Sequence, residues 1–227
     1  LARVQPGEAV LVLADTWTDP IISQAVMQAA LDAGADAQLI VFSWQSQTDP
    51  HEFGPILAGA MRGSQVIIGL CETIFSPQQA CKDARKAGAR VLSTVPKGIE
   101  DYVIEGIVNV DYDGMVENGK IMAALFEQSK MCRVSFDVGT DVSFSLAGRP
   151  ALVGAGIADA PGKMDFFPGV QVNIAPVEET INGVVVIDGS ISPGGIVSSP
   201  VKVTLENGVM TKIEGGIDAS SWKARLD

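Results

Sequence analysis

Hydrophobic and polar positions fall into two different textures along the chain. In the first half, short apolar runs recur at Ala9–Ala14, Gln38–Phe42, Gln65–Leu70 and Arg90–Val95. Runs of this kind, apolar at every position, mark strands buried on both faces. Helix-length segments separate them. Asp19-Pro20, Asp49-Pro50 and Ser76-Pro77 stand where helices open, and Gly34 and Gly88 stand where two of them close. An Asp or Ser suits the N-cap, a Pro the first helical turn, and a Gly the residue after the last turn. The spacing therefore predicts helices over about 19–33, 50–61 and 76–88, and Pro96 halts the fourth strand. Such a βαβαβαβ rhythm implies a parallel sheet with helices on both faces. A longer helix is expected from about Asp111 to Gln128.

From Cys132 onward the helical period is lost until the last residues. β-rich runs follow at Arg133–Phe136, Val142–Leu146, Val170–Ala175, Val184–Ile187, Val201–Leu205 and Val209–Ile213. Asn182-Gly183, Asp188-Gly189 and Asn207-Gly208 read as turns, the last inside the clearest hairpin of the chain. The expected fold is thus an α/β N-terminal domain with a parallel sheet, Rossmann-like, over 1–130. A β-rich (α+β) second domain would cover 131–227.

Composition narrows the functional classes. With 16 Lys and Arg against 27 Asp and Glu, the net charge is −11. Nucleic-acid binding is not expected, because a phosphate footprint needs a basic face. No apolar stretch approaches the roughly 18 residues of a membrane span. Three cysteines without a CxxC support neither a disulfide framework nor a zinc knuckle, and a cytoplasmic setting is expected. No signal peptide is visible, although the chain opens on Leu1 and not on Met. The single histidine, His51, cannot supply a two- or three-histidine metal site.

Candidate chemistry is sparse in the first half. The loop Asp15-Thr16-Trp17-Thr18-Asp19 lacks the glycines that admit a pyrophosphate, and its carboxylates would repel one. Cys71 and Glu72 follow the third strand, at the sheet edge where open α/β folds bind ligands, and Phe75-Ser76-Pro77 leads into a helix N-terminus. A nucleophilic role for Cys71 lacks a base, since only His51 is available. The most informative segment is 154–189. It carries repeated Gly and Pro, the adjacent Phe166 and Phe167, and the carboxylates Asp159, Asp165, Glu178 and Glu179. Two readings stand: a functional loop presenting both rings, or rings in the core with solvated carboxylates.

The pattern Gly-x-Ala-Asp-x-Pro-Gly-x-x-Asp-x-x-Pro over 156–168, followed by Ala-Pro-x-Glu at 175–178 and by Asn182-Gly183, resembles 2,5-dihydroxypyridine 5,6-dioxygenases. These in turn are similar to the aminopeptidase T/S metallopeptidases. Gly139–Val142, Leu146–Pro150, Phe75–Gln78 and the closing Gly208 to Gly216 stretch carry the same resemblance. It implies Fe(II) held by two histidines and an aspartate. Those ligands would lie beyond the pair matched by Gly215-Gly216, after Asp227, so no metal ligand is expected in 1–227. Either the sequence is a piece of a longer one or this member has lost the metal.

Two departures refine what the resemblance implies. Gln171 stands where the aminopeptidases carry a metal-binding Glu, which disfavours a two-metal peptidase using Zn or Co. Phe75 and Phe166 stand where the dioxygenases carry substrate-handling histidines. A ring stacks on a flat substrate but accepts no phenolic proton. The expectation is a ring-cleaving dioxygenase-like enzyme for a small aromatic or heterocyclic substrate. Phe75, Ser76, Phe166 and Phe167 would line its pocket, and Glu178 or Asp165 would orient the substrate. The alternatives are a metalloaminopeptidase, or a non-catalytic binding module. Strand edges in the β-rich half suggest a homodimer or larger homo-oligomer.

Overall fold

The computed structural model describes residues 1–46, 51–94, 110–192 and 195–226. Contacts divide the chain into two compact units. One is Leu1–Val116 with Gly154–Gln171, and the other is Glu117–Val153 with Val172–Asp227.

The first unit is built on a five-stranded parallel sheet. Its strands are β1 (Ala9–Asp15), β2 (Asp36–Phe42), β3 (Val66–Gly69), β4 (Arg90–Ser93) and β8 (Met164–Phe166), in the order β2-β1-β3-β4-β8. Side chains alternate across the sheet and feed two cores. Val10, Val12, Ile68 and Leu92 pack under α1 (Pro20–Asp32) through Ile22 and Ala30. Leu11, Leu13, Ile67 and Val91 pack under α2 (Pro55–Gly63) and α3 (Gln79–Lys86) through Leu57, Met61, Cys81 and Ala84. Burial on both faces is why these strands read as unbroken apolar runs.

Helix boundaries show where local signals hold. Asp19 caps α1 through its side chain to the Ile21 N–H, with Pro20 in the first turn. Asp49-Pro50 lies outside the described residues, and α2 instead opens at Pro55 after Gly54. Ser76-Pro77 does not open α3. These two residues form a turn, the Phe75 carbonyl accepts from the Gln78 N–H at 3.1 Å, and the Glu52 carboxylate accepts from the Gln79 N–H at 2.9 Å. A remote acid at the N-terminus thus fixes a start two residues after Pro77.

In the second unit, strands β14-β13-β10-β6-β5 form an antiparallel sheet in that order. They are β5 (Met131–Ser135), β6 (Asp141–Ser145), β10 (Asn182–Ile187), β13 (Val201–Glu206) and β14 (Val209–Glu214). Its alternation puts Val134, Val142, Val185, Val203 and Ile213 on one face. The end near Val201 and Val203 is covered by helix α5 (Ile217–Leu226) through Ala219 and Trp222. Asn207 and Gly208 both hold positive φ, 51° and 79°, between Glu206 and its partner Val209. This is the two-residue hairpin the sequence announces. The long helix α4 spans Tyr112–Gln128. Short strands β7 (Ala151–Gly154) and β9 (Gln171–Ile174) pair with each other, as do β11 (Ser190–Ile191) and β12 (Gly195–Ile196).

Two expectations are corrected. Asn182-Gly183 is not a turn but the start of β10. Gly183 is needed there because its φ is +131° and a Cβ would lie 2.2 Å from the Asp141 carbonyl oxygen. The division of the chain is also not one cut near residue 130. Residues 154–171 return to the first unit, because Met164–Phe166 pairs in parallel with Val91–Ser93.

Candidate active site

The carboxyl ends of the parallel strands form the candidate site. Asp15, the last residue of β1, is fully buried. One of its carboxylate oxygens accepts from the Trp17 N–H at 3.0 Å. The other accepts from the Thr73 N–H and Oγ1 at 2.8 and 2.9 Å. The Thr18 hydroxyl accepts from the Asp15 N–H and donates to the Leu70 carbonyl at 2.7 Å. Thr16 and Thr73 in turn accept from the Trp44 and Gln45 N–H groups. One buried carboxylate therefore staples the loops after β1 and β3, and the loop after β2 joins through the threonines. Both carboxylate oxygens thus have donors, one from the Trp17 N–H and two from Thr73. On the rim, Trp17 is 67% exposed and stacks on Trp44 with ring centroids 5.1 Å apart.

Cys71 sits beside this network. Burial foremost, then the nearby Asp15 and Glu72 charges, push its thiol up to about 12. It is a neutral packing group, as the lack of a base in the sequence implied.

The loop after β7 wraps around a second buried carboxylate. Asp165 accepts from the Ala155 N–H at 2.9 Å, the Ile157 N–H at 3.3 Å and the Phe166 N–H at 2.9 Å. Both oxygens are thereby engaged by backbone. The Phe167 N–H then donates to the Ser93 carbonyl at 2.8 Å, which sets the residues after β8 against the end of β4.

The predicted pocket residues separate. Phe167 lines a cavity of about 440 Å³ with Ile22, Val26, Leu70, Leu92 and Thr94, and its ring lies 5.6 Å from that of Tyr112. Phe166 points outward and is 57% exposed. Phe75 is 1% exposed and packs in the core under α2 and α3, so as folded it cannot wall a pocket with Phe167. Its ring occupies the space beside Gly69, where a Cβ would come within 2.3 Å. Ser76 is half-buried in the turn that follows. Glu178 belongs to the other unit, in a 3-10 turn at Glu178–Thr180, and is ion-paired with Arg149. Asp159 pairs with Lys163 at 3.0 Å, which holds its carboxyl below the usual range. Of the twin rings, then, one is wall and one is surface.

Sequence reasoning missed Asp15, Thr18, Thr73, Thr94 and Tyr112. The signal available for Asp15 was a carboxylate closing an apolar run, which has to be satisfied where it is buried. No group of three or more His, Cys, Asp or Glu that could hold a metal ion occurs among the described residues. The described residues thus offer no donor set that fits an iron centre.

Residues 1–227 match the 2,5-dihydroxypyridine 5,6-dioxygenase family over their whole length, and the chain belongs to that family. A 2,5-dihydroxypyridine 5,6-dioxygenase of Pseudomonas putida KT2440 is 25% identical over 241 residues, covering 96% of this chain and 65% of the relative. The chain thus spans just under two thirds of that relative's length. The solved structure of 2,5-dihydroxypyridine dioxygenase from Pseudomonas putida KT2440 superposes with a TM-score of 0.75 at 22% identity, covering 99% of this chain and 67% of the other. AmpT of Thermus thermophilus gives 0.62 at 14% identity, covering 98% and 70%. At these identities the two structures establish the fold: a parallel α/β sheet followed by a β-rich portion.

Proposed function

We propose that the chain contributes the substrate-cavity portion of a ring-cleaving dioxygenase-like oxidoreductase for a small aromatic or heterocyclic substrate. Family membership over residues 1–227 is the observation that carries this reading. The cavity supports it. Pockets for small ligands are commonly about 300–1,000 Å³, mostly apolar, with few polar groups. The 440 Å³ cavity is walled mostly by aliphatic side chains and one ring, with Thr94 among its lining residues.

In this reading Phe167, backed by Tyr112, offers a face for a flat ring, and Thr94 orients one ring substituent by hydrogen bonding. Asp165 acts by holding the Phe167 loop and not by touching substrate, because both its oxygens are taken by backbone N–H groups. Phe75 and Ser76 shape the loop after β3 from beneath. Glu178, in the second unit, is engaged by Arg149. Fe(II) would supply oxygen activation. Its ligands are placed, in this proposal, in the third of the relatives' length that residues 1–227 do not match. The metalloaminopeptidase alternative, with Zn or Co, has fold likeness alone behind it, and Gln171 opens β9 with an exposed neutral amide.

The test is oxygen uptake by the iron-loaded full-length protein on a panel of hydroxypyridines and hydroxybenzoates. Turnover of at least one ring substrate is expected, with Phe167→Ala raising KM by about tenfold through loss of stacking and apolar contact. Stoichiometric iron without oxygen uptake on any of these rings would overturn the assignment.

A further inference from the structure

Arg90 opens β4, and Leu92 follows two positions later on the same face of the sheet, the one that α1 covers. From there the Arg90 guanidinium grips the segment 1–8. Its two terminal nitrogens donate to the two Glu8 carboxylate oxygens at 2.9 and 2.8 Å. One of them also donates to the Ala2 carbonyl at 3.3 Å and to the Arg3 carbonyl at 3.4 Å. Both charged side chains are mostly buried. The Glu8 carboxylate in turn accepts from the Gln5 N–H at 2.8 Å, and the Glu8 carbonyl accepts from the Asp36 N–H at 2.9 Å. At the other end the Leu1 carbonyl accepts from the Ala158 N–H at 3.2 Å. Ala158 is fully buried in the loop that Asp165 holds closed. Between these anchorages Ala2 is buried in one core with Val10 and Leu92, and Leu1 and Ala2 line the 440 Å³ cavity together with Phe167.

Local chemistry does not account for this placement. Residues 1–5 lie in no helix or strand, and Arg3 stands at φ +45°, a costly conformation for a residue with a Cβ. Long-range bonds have to hold it. We infer that Arg90 is a positioning residue for ring binding: its guanidinium fixes the Leu1–Ala2 wall of the cavity and does not itself touch the substrate. The inference rests on the reading of this cavity as the ring site. A planar fork satisfies a carboxylate and two carbonyls together, whereas a lysine ammonium is a point charge. Release of Leu1 and Ala2 would admit water to the apolar wall and cost a bound ring part of its burial.

The probe is 3-hydroxypyridine, titrated into the full-length protein and followed by the methyl resonances of Ile22 and Leu92, which line the cavity. These methyls are expected to shift in the wild type. Arg90→Met should weaken the dissociation constant about tenfold, and Arg90→Lys, which keeps a cation against Glu8, about threefold or more. Amide exchange at Ala158 should accelerate in both variants, while exchange in β3, at the centre of the sheet, stays at the wild-type rate. With any ring that the iron-loaded protein turns over, KM should rise by the same factors with kcat unchanged, the pattern of lost binding and not of lost chemistry. Arg62→Met, which removes an exposed cation beside Asp83, should change none of these readings. A merely structural role for Arg90 would accelerate exchange throughout the sheet and leave the dissociation constant of the folded protein as it was. That result, or wild-type methyls that do not shift, would overturn the inference. Weakened binding in both Arg90 variants supports it even where no ring is oxidised, an outcome that sinks the oxidoreductase reading alone.

Discussion

Replacing Asp15 by Asn is the sharpest test of how the candidate site is held. The change keeps shape and volume but swaps one carboxylate oxygen for an NH2 group. Either orientation of the amide leaves one fixed backbone donor without an acceptor. It is the Trp17 N–H if the amide nitrogen replaces the first oxygen, and the Thr73 N–H if it replaces the second. The Thr73 hydroxyl can rotate and accept instead, so it adds little to the loss. An orphaned buried donor costs about 1–3 kcal/mol, and the lost charge assistance raises the figure toward the upper end. The expected destabilisation is therefore about 2–3 kcal/mol. Asp15→Ala orphans both donors and opens a void, so about 4 kcal/mol or more is expected. The assay is urea unfolding of both variants, with amide exchange at Thr73 as the local reporter. For Asp15→Asn, exchange at Thr73 should accelerate. Trp17 and Trp44 supply a second signal, because their stack rides on the stapled loops. An Asp15→Asn protein within about 0.5 kcal/mol of wild type, the range of a plain surface change, would refute the claim that this carboxylate holds the sheet edge together.

Two further outcomes follow from burial and charge. Phe75→Ala should cost about 3–5 kcal/mol by emptying the core under α2 and α3, whereas Phe166→Ala should change stability by less than about 0.5 kcal/mol. Equal effects in chemical denaturation would show that the two rings do not differ as described. Glu8 and Arg90, both mostly buried, pair at 2.8 Å, and the side-chain bond to Arg90 is the main reason the Glu8 carboxyl is held below its ordinary value of 4.5. A lowered folded-state value means that this contribution is present above the ordinary value and is lost as pH falls through the folded one. Stability should therefore decline on acidification below about pH 4.5, and Glu8→Gln should flatten that decline. A wild-type slope retained in Glu8→Gln would place the acid sensitivity elsewhere.

The candidate site was legible only in part. Sequence pointed to the carboxyl edge of the sheet and to the 154–189 segment, because turn-rich composition and strand ends are local features. It could not separate the three phenylalanines. Nothing in the neighbours of Phe75 says that it will fill the space left by Gly69, and nothing around Phe167 says that it will face the α1 side while Phe166 meets solvent. Those outcomes depend on which strand each loop lies against. The same holds for Asp165, whose three backbone partners come from residues 155, 157 and 166 only once the loop has closed on itself.

What the sequence settled alone are features written in short-range chemistry. Buried apolar runs made the parallel strands, Asp19-Pro20 started α1, and Asn207-Gly208 with positive φ at both residues closed the β13–β14 hairpin. Only the tertiary structure decided that Met164–Phe166, three residues without a strand signature, would extend the first sheet beside β4. It also decided that Asn182-Gly183 would enter a strand, where a carbonyl approaches too closely for any side chain. Periodicity and turn residues encode how a segment bends and which face it hides. The neighbour it hides that face against is set by contacts between residues far apart in the chain, which no local pattern records.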